Sequence, residues 1–167
     1  MPDTVTYTPI ATNTLGSAAS TITFSSISGS YKDLVLIINS GSSAYGTDWT
    51  CRVNGDSSAL YSRTALAGDG STATSSRVRG GTYTRLNGSG FNDTPTNTTV
   101  GITHFMNYSN ATTYKTILSR SGNAANGTSA VVSLWRSTAA ITSIEVFTND
   151  VSTYNSGATF TLYGIGA

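Results

Sequence analysis

The chain contains a single histidine, His104, and a single cysteine, Cys51, two residue types that often supply a base or a nucleophile in enzymes. A hydrolase also needs a nucleophile beside its base, and no Gly-x-Ser-x-Gly motif occurs to provide one. His104 lies in the run Ile102–Met106, so we expect a hydrogen-bonded residue within a strand. Cys51 lies between Thr50 and Arg52 on another predicted strand, and we expect a buried structural thiol there.

The acidic residues are too few and too scattered to form a recognisable metal or glycosidase site. None of them has the Asp-x-Asp-x-Asp-Gly spacing of a calcium loop, and a glycosidase would need a carboxylate pair from a chain with one Glu. Asp56, in Asn-Gly-Asp, and Asp69, in Gly-Asp-Gly, are better explained as turn-forming residues. We therefore expect no catalytic residues, no metal and no cofactor. A calcium site assembled from distant turns stays open as an alternative.

Charge argues against two classes of partner. Charged residues make up 10% of the chain and the net charge is +1, which is too weak a field to recruit nucleic acid or an anionic membrane. No run approaches 18 apolar residues, and no basic-then-apolar segment resembles a secretory signal. Phosphate-binding and dinucleotide-binding motifs do not occur either. We expect a protein that contacts neither nucleic acid nor membrane.

The aromatic residues are the remaining candidates for binding. Most of the two Trp and nine Tyr lie at predicted strand positions, where a role in the core or between sheets is the simpler interpretation. Tyr45, Phe91 and Tyr154 lie in predicted loops, and we select them as candidate outward contacts. Seven of the nine basic residues are Arg, whose planar group suits subunit interfaces, although scattered surface positions would account for them equally well.

The elements that would position these residues are strands. Ser, Thr, Asn and Gly account for 83 of the 167 residues, whereas Gln is absent and Glu occurs once. The helix-favouring polar residues are thus nearly missing, and the strand and turn formers dominate. Short apolar runs separated by Gly and Asn predict these strands: Thr4–Ile10, Thr21–Ile27, Asp33–Asn39, Trp49–Asn54, Leu60–Thr64, Arg77–Leu86, Thr99–Tyr108, Tyr114–Arg120, Ala130–Arg136, Ile141–Phe147 and Ala158–Ile165.

About ten short strands without helices predict antiparallel sheets, arranged as a two-sheet sandwich, a jelly roll among them, or as a barrel. Asp33–Asn39 is apolar on both faces and should be a central strand. We expect residues 21–167 to form one β-sandwich domain. Residues 1–20, which include Pro2 and Pro9, are either an arm that leaves the domain or its first strand.

Several segments together resemble a family of small virion structural proteins of tailed bacteriophages, especially phages of cyanobacteria and other aquatic hosts. The resemblance runs from about Thr4 to the end of the chain, and its most recognisable piece is the closing Leu162-Tyr163-Gly164-Ile165. The other segments that carry it are Thr21–Ile27 (TITFSSI), Tyr31–Leu36 (YKDLVL), Arg52–Asp56 (RVNGD), Asn107–Asn110 (NYSN), Tyr114–Thr116 (YKT) and Leu134–Ser137 (LWRS).

The resemblance implies a jelly-roll-like, all-β domain on the outer surface of a phage particle. It implies no catalytic residues. The leading hypothesis is a non-enzymatic capsid decoration (cement) protein, a homotrimer that contacts the major capsid protein and bridges neighbouring capsid subunits. The alternative is a tail fibre or baseplate module that binds host surface glycans through the loop aromatics. A free-standing carbohydrate-binding module or glycan hydrolase is a third, weaker hypothesis.

Overall fold

The chain folds into two antiparallel β-sheets. The computed structural model describes residues 6–44, 46–88, 96–123 and 125–166, and these contain twelve strands and no helix. The strands are β1 (Tyr7–Thr14), β2 (Thr21–Phe24), β3 (Asp33–Ser40), β4 (Trp49–Val53), β5 (Tyr61–Gly68), β6 (Ala73–Gly81), β7 (Thr84–Arg85), β8 (Thr99–Met106), β9 (Lys115–Asn123), β10 (Gly127–Trp135), β11 (Ile144–Thr148) and β12 (Thr159–Ile165).

The two sheets differ in size. The larger sheet has the order β1-β12-β3-β8-β9-β10-β5-β6, and the smaller has the order β2-β11-β4-β7. All the pairings are antiparallel. The prediction of an all-β, antiparallel sandwich without helices is therefore confirmed for the described residues. The segment Arg77–Leu86 was expected to be one strand but forms parts of two, because the chain bends at residues 82–83 and crosses from the larger sheet to the smaller.

The first and third strands settle two features left open by the sequence. Residues 7–14 form β1, which pairs with β12 along its whole length, so this segment is a strand of the larger sheet and not a free arm. β3 lies between β12 and β8, as its apolar sequence predicted. Leu34, Leu36 and Ile38 on one face of β3 are fully buried, and Val35 on the other face is 4% exposed. β3 therefore anchors the sheet.

An apolar core lies between the two sheets. The smaller sheet contributes Trp49 and Ile144 to it, and the larger sheet contributes Leu36, Phe105 and Phe160, all completely buried. Burial of such side chains contributes about 1.5–3 kcal/mol each. These aromatic and aliphatic groups hold the sheets together, as expected for most of the aromatic residues.

Away from that core, hydroxyl groups fill the space beneath β8, β9 and β10. Thr103 Oγ1 and Ser119 Oγ lie 2.9 Å apart, and Ser121 Oγ and Ser129 Oγ lie 2.8 Å apart. All four residues are buried, and each hydroxyl is satisfied by a neighbouring one. The inward row of these three strands is thus largely small and polar, which leaves much of their apolar content to the other face.

Candidate functional site

The opposite face of the larger sheet carries an apolar surface. Strand β8 alternates between buried Thr99, Gly101 and Thr103 on one side and the more exposed Val100 and Ile102 on the other. The same alternation continues into β9, β10 and β5. The residues that together define this outward face are Tyr7, Leu66, Val100, Ile102, Leu118 and Val132.

The register of the sheet makes the outward face continuous. Thr64 pairs with Val132, Val132 with Leu118 and Leu118 with His104, so one row of side chains crosses four strands. Val100, Val132 and Leu66 are 48%, 50% and 58% exposed. Single exposed apolar residues are common on protein surfaces, but a contiguous group of them on one sheet is typical of an interaction surface.

Two shallow depressions mark the centre of the outward face. One, of about 100 Å³, is lined by Tyr7, Val35, Ile102, His104, Leu118 and Arg120. The second, of about 350 Å³, continues past Val100 and Arg120. The ring of Tyr7 lies 5.9 Å from that of Tyr163 in an edge-to-face contact, which fixes one wall. The face therefore has relief into which side chains of a partner could fit.

His104 lies on the outward face and has a defined hydrogen-bond partner. Its Nε2 is 3.1 Å from Asp33 Oδ2, and Asp33 Oδ1 accepts a 2.6 Å hydrogen bond from the backbone N–H of Asn107. Asn107 has a φ of 50°, so the carboxylate stabilises a turn that follows β8 directly. The prediction of a hydrogen-bonded histidine within a strand is confirmed, and the pair links β3, β8 and the turn.

Cys51 lies in β4 of the smaller sheet, in the core. Its side chain is fully buried, and burial together with the charge of Glu145 raises the pKa of the thiol far above its ordinary value. A nucleophilic cysteine needs the opposite shift, because the thiolate is the reactive form. The prediction of a buried thiol is confirmed, and Cys51 packs in the core as a small apolar residue.

The two turn-forming aspartates accept hydrogen bonds from their own turns. Asp69 Oδ1 accepts from the backbone N–H groups of Ser71 and Thr72 at 2.9 and 2.6 Å, and these bonds lower the pKa of the carboxyl. Asp56 accepts from Ser58 N at 2.9 Å and from Trp135 Nε1 at 2.6 Å. Burial opposes ionisation of Asp56, but the hydrogen bonds outweigh it and its pKa is lowered. Both residues therefore act as the sequence predicted.

The three candidate outward contacts fare differently. Tyr45 and Phe91 lie outside the described residues. The prediction for Tyr154 is wrong, because its side chain is fully buried. Its backbone forms bridges to Ala19 and Ser42, and its ring packs edge-to-face on Phe160 at 5.1 Å. A predicted loop residue thus became part of the core because two other segments pair with it.

Sequence reasoning also missed a buried charge. Lys115, at the start of β9, is 1% exposed and donates from Nζ to the carbonyl oxygens of Thr113 and Thr138 at 2.7 and 3.1 Å. Burial lowers the pKa of the ammonium group. The alternation in β9 puts Lys115 on the same side as buried Ile117, which is the signal that could have revealed it. Its contacts tie two loops to the sheet.

Neither a metal centre nor a known relative adds to this account. Among the described residues, no group of three His, Cys, Asp or Glu side chains could hold a metal ion. Nor does that part of the chain contain a helix of the length and hydrophobicity needed to cross a membrane. Comparisons with protein families, with curated proteins and with solved structures found no match.

Proposed function

We propose that the chain is a non-enzymatic structural protein of a phage virion, a capsid decoration protein on the outer surface of the head. In this proposal the protein assembles with copies of itself, three being the expected number, and bridges subunits of the major capsid protein. The sequence resemblance supplies the biological setting. The outward face of the larger sheet supplies the physical argument.

The observation that carries the proposal is the reversed polarity of β8. Its buried row consists of Thr99, Gly101, Thr103 and Phe105, whereas Val100 and Ile102 lie on the outward face. A strand that faced only solvent on that side would be expected to carry its polar residues there. Covering the outward face with protein would gain about 25 cal/mol per Å² of apolar surface removed from water. The face is therefore suited to assembly.

A second copy of the chain is the occupant that the charges favour for the centre of this face. Among the described residues, Arg120 is the one charged side chain lining the two central depressions besides His104, whose partner is Asp33. Two such faces can approach without placing carboxylates against each other, so little charge has to be desolvated. Interface cores are typically depleted in charge in this way, with Tyr and Arg among the enriched residues.

The strand order supports the jelly-roll part of the proposal. If the hairpin strands β5, β6, β9 and β10 are set aside, the remaining eight strands have the orders β1-β12-β3-β8 and β2-β11-β4-β7. Numbered one to eight along the chain, these orders are 1-8-3-6 and 2-7-4-5, which is the strand arrangement of an eight-stranded jelly roll. The four additional strands then extend one sheet beyond β8 and enlarge the outward face.

Mass spectrometry of purified heads and tails tests the role directly. Particles of the virus that encodes the chain would be separated into the two fractions, and the chain would be quantified against the major capsid protein. A decoration protein is expected in the head fraction at a fixed ratio to the capsid subunit. Recovery only with tails would exclude the decoration role, and recovery with neither fraction would exclude a virion role.

A further inference from the structure

A second surface feature lies at the far end of the larger sheet, where β10, β5 and β6 meet. A groove of about 610 Å³ opens there, with Val132, Leu134, Ser62 and Thr64 among the residues lining it. Arg77 and Arg79 line it from β6, and Arg136 lines it from the end of β10. Its size falls in the range of ligand sites, and its lining combines apolar carbon, hydroxyl groups and guanidinium groups.

Sheet register places these arginines on the ligand side of the groove. Thr64 pairs with Val132 and with Arg77, and Ser62 pairs with Leu134 and with Arg79. Residues two apart on a strand lie about 7 Å from each other on the same face. Arg77 and Arg79 therefore form a pair of neighbouring positive charges along the edge of the groove. A bulge between Tyr61 and Ser62, opposite Gly80 with its φ of 71°, keeps Arg79 in register with Ser62.

These guanidinium groups have no anionic partner among the described residues. The ion pairs there join Arg52 to Glu145, Arg85 to Asp48 and His104 to Asp33. Arg136 donates one hydrogen bond, 3.0 Å long, to the carbonyl oxygen of Ala59, and that bond orients it. Three basic groups around one groove repel one another, and an anion between them would relieve that repulsion.

We propose that this groove binds an anionic polysaccharide. Its carboxylate or sulfate groups are held by Arg77 and Arg79, with Arg136 at one end, because guanidinium binds such oxyanions in a forked geometry. Its sugar rings lie against Val132 and Leu134, and its hydroxyl groups reach Ser62 and Thr64. The inference is independent of the capsid role, since it concerns a ligand and not the assembly of the protein.

Neither protection of the sheet edge nor binding of nucleic acid fits the groove as well. Charged residues on an edge strand often serve to block pairing with other chains, and β6 is such a strand. Arg136 follows β10, which is an interior strand, so blocking does not account for its position in the same groove. Single-stranded nucleic acid is normally bound by aromatic rings on which bases stack, and none of the described residues that line this groove is aromatic.

Titration calorimetry on the full chain in low salt tests the proposal. The probes are polygalacturonate for carboxylate groups, dextran sulfate for sulfate groups, neutral dextran, and polyglutamate as an acidic polypeptide. Arg77→Ser, Arg79→Ser and the double variant remove charge at the groove. Lys32→Ser removes one charge at another exposed position and serves as the matched control. Circular dichroism checks that every variant is folded.

The expected result is binding of at least one anionic polysaccharide, no binding of neutral dextran, and weaker binding of polyglutamate. Each single arginine variant should lose affinity at least fivefold and the double variant more than tenfold, while Lys32→Ser changes affinity less than twofold. Equal losses in Lys32→Ser and Arg79→Ser would show a general charge effect and overturn the proposal. Absence of polysaccharide binding would overturn it, and tighter binding of polyglutamate would assign the groove to an acidic peptide instead.

Discussion

The indole ring of Trp49, in the smaller sheet, packs against the backbone of Gly101 in the larger one. A Cβ atom built at position 101 would lie 2.7 Å from Cζ3 of the ring, closer than real side chains approach. Trp49 is completely buried, so the ring has nowhere to move. This contact sets the distance between the sheets at β8, the strand whose other side carries Val100 and Ile102.

Replacement of Gly101 by Ala should therefore destabilise the protein. Overpacking of a filled core costs about 1–3 kcal/mol, and we expect a loss of that size in the free energy of unfolding measured by chemical denaturation. Gly122 provides the control, because a Cβ there would meet nothing closer than 3.5 Å. Gly122→Ala should leave stability unchanged or raise it slightly. Equal effects of the two substitutions would contradict the proposed packing.

Replacement of Tyr154 by Ala should also destabilise the fold. The ring is fully buried against Phe160, and removal of a large buried aromatic side chain costs about 3–5 kcal/mol. Tyr114, which is 53% exposed, gives a matched substitution at the surface. In thermal unfolding, Tyr154→Ala should lower the melting temperature strongly and Tyr114→Ala only slightly. A small effect at Tyr154 would restore its interpretation as an exposed contact.

Acid should weaken the hydrogen bonds that Asp56 accepts. The pKa of this carboxyl lies below its ordinary value of 3.8, so the ionised form stabilises the folded state. That stabilisation is complete above about pH 4 and is lost as the pH falls through the folded-state pKa. We expect Asp56→Asn to be about 1 kcal/mol less stable at pH 7, with the difference shrinking below pH 4. A difference independent of pH would show that the charge of Asp56 is unimportant.

Local sequence signals were sufficient for most of the strands. The Asn54-Gly55 pair predicted a tight turn, and both residues have a positive φ, 55° and 65°. The apolar run of β3 predicted its central place. Sheet membership was not predictable, since nothing local in β5 or β10 shows that they extend the larger sheet. Such pairings depend on contacts between residues far apart in the sequence.

The sequence was less informative about surfaces. Alternation in Thr99–Met106 reveals two rows of side chains but not which row faces the core. The more apolar row, with Val100 and Ile102, would ordinarily be placed inside, yet Trp49 needs the small Gly101 beneath it. The arginine groove was equally hidden, because Arg136 is distant from Arg79 in the sequence and meets it only through β5.

The mass of the protein in solution tests assembly through the outward face most directly. Analytical ultracentrifugation at micromolar concentration should give three times the mass of one chain. Val132→Asp places a charge on the outward face and should shift the mass towards that of a single chain. Val151→Asp makes the same change at a fully exposed valine outside this face and should leave the assembly intact. A monomeric wild type, or a Val132→Asp variant that assembles like the wild type, would contradict the account.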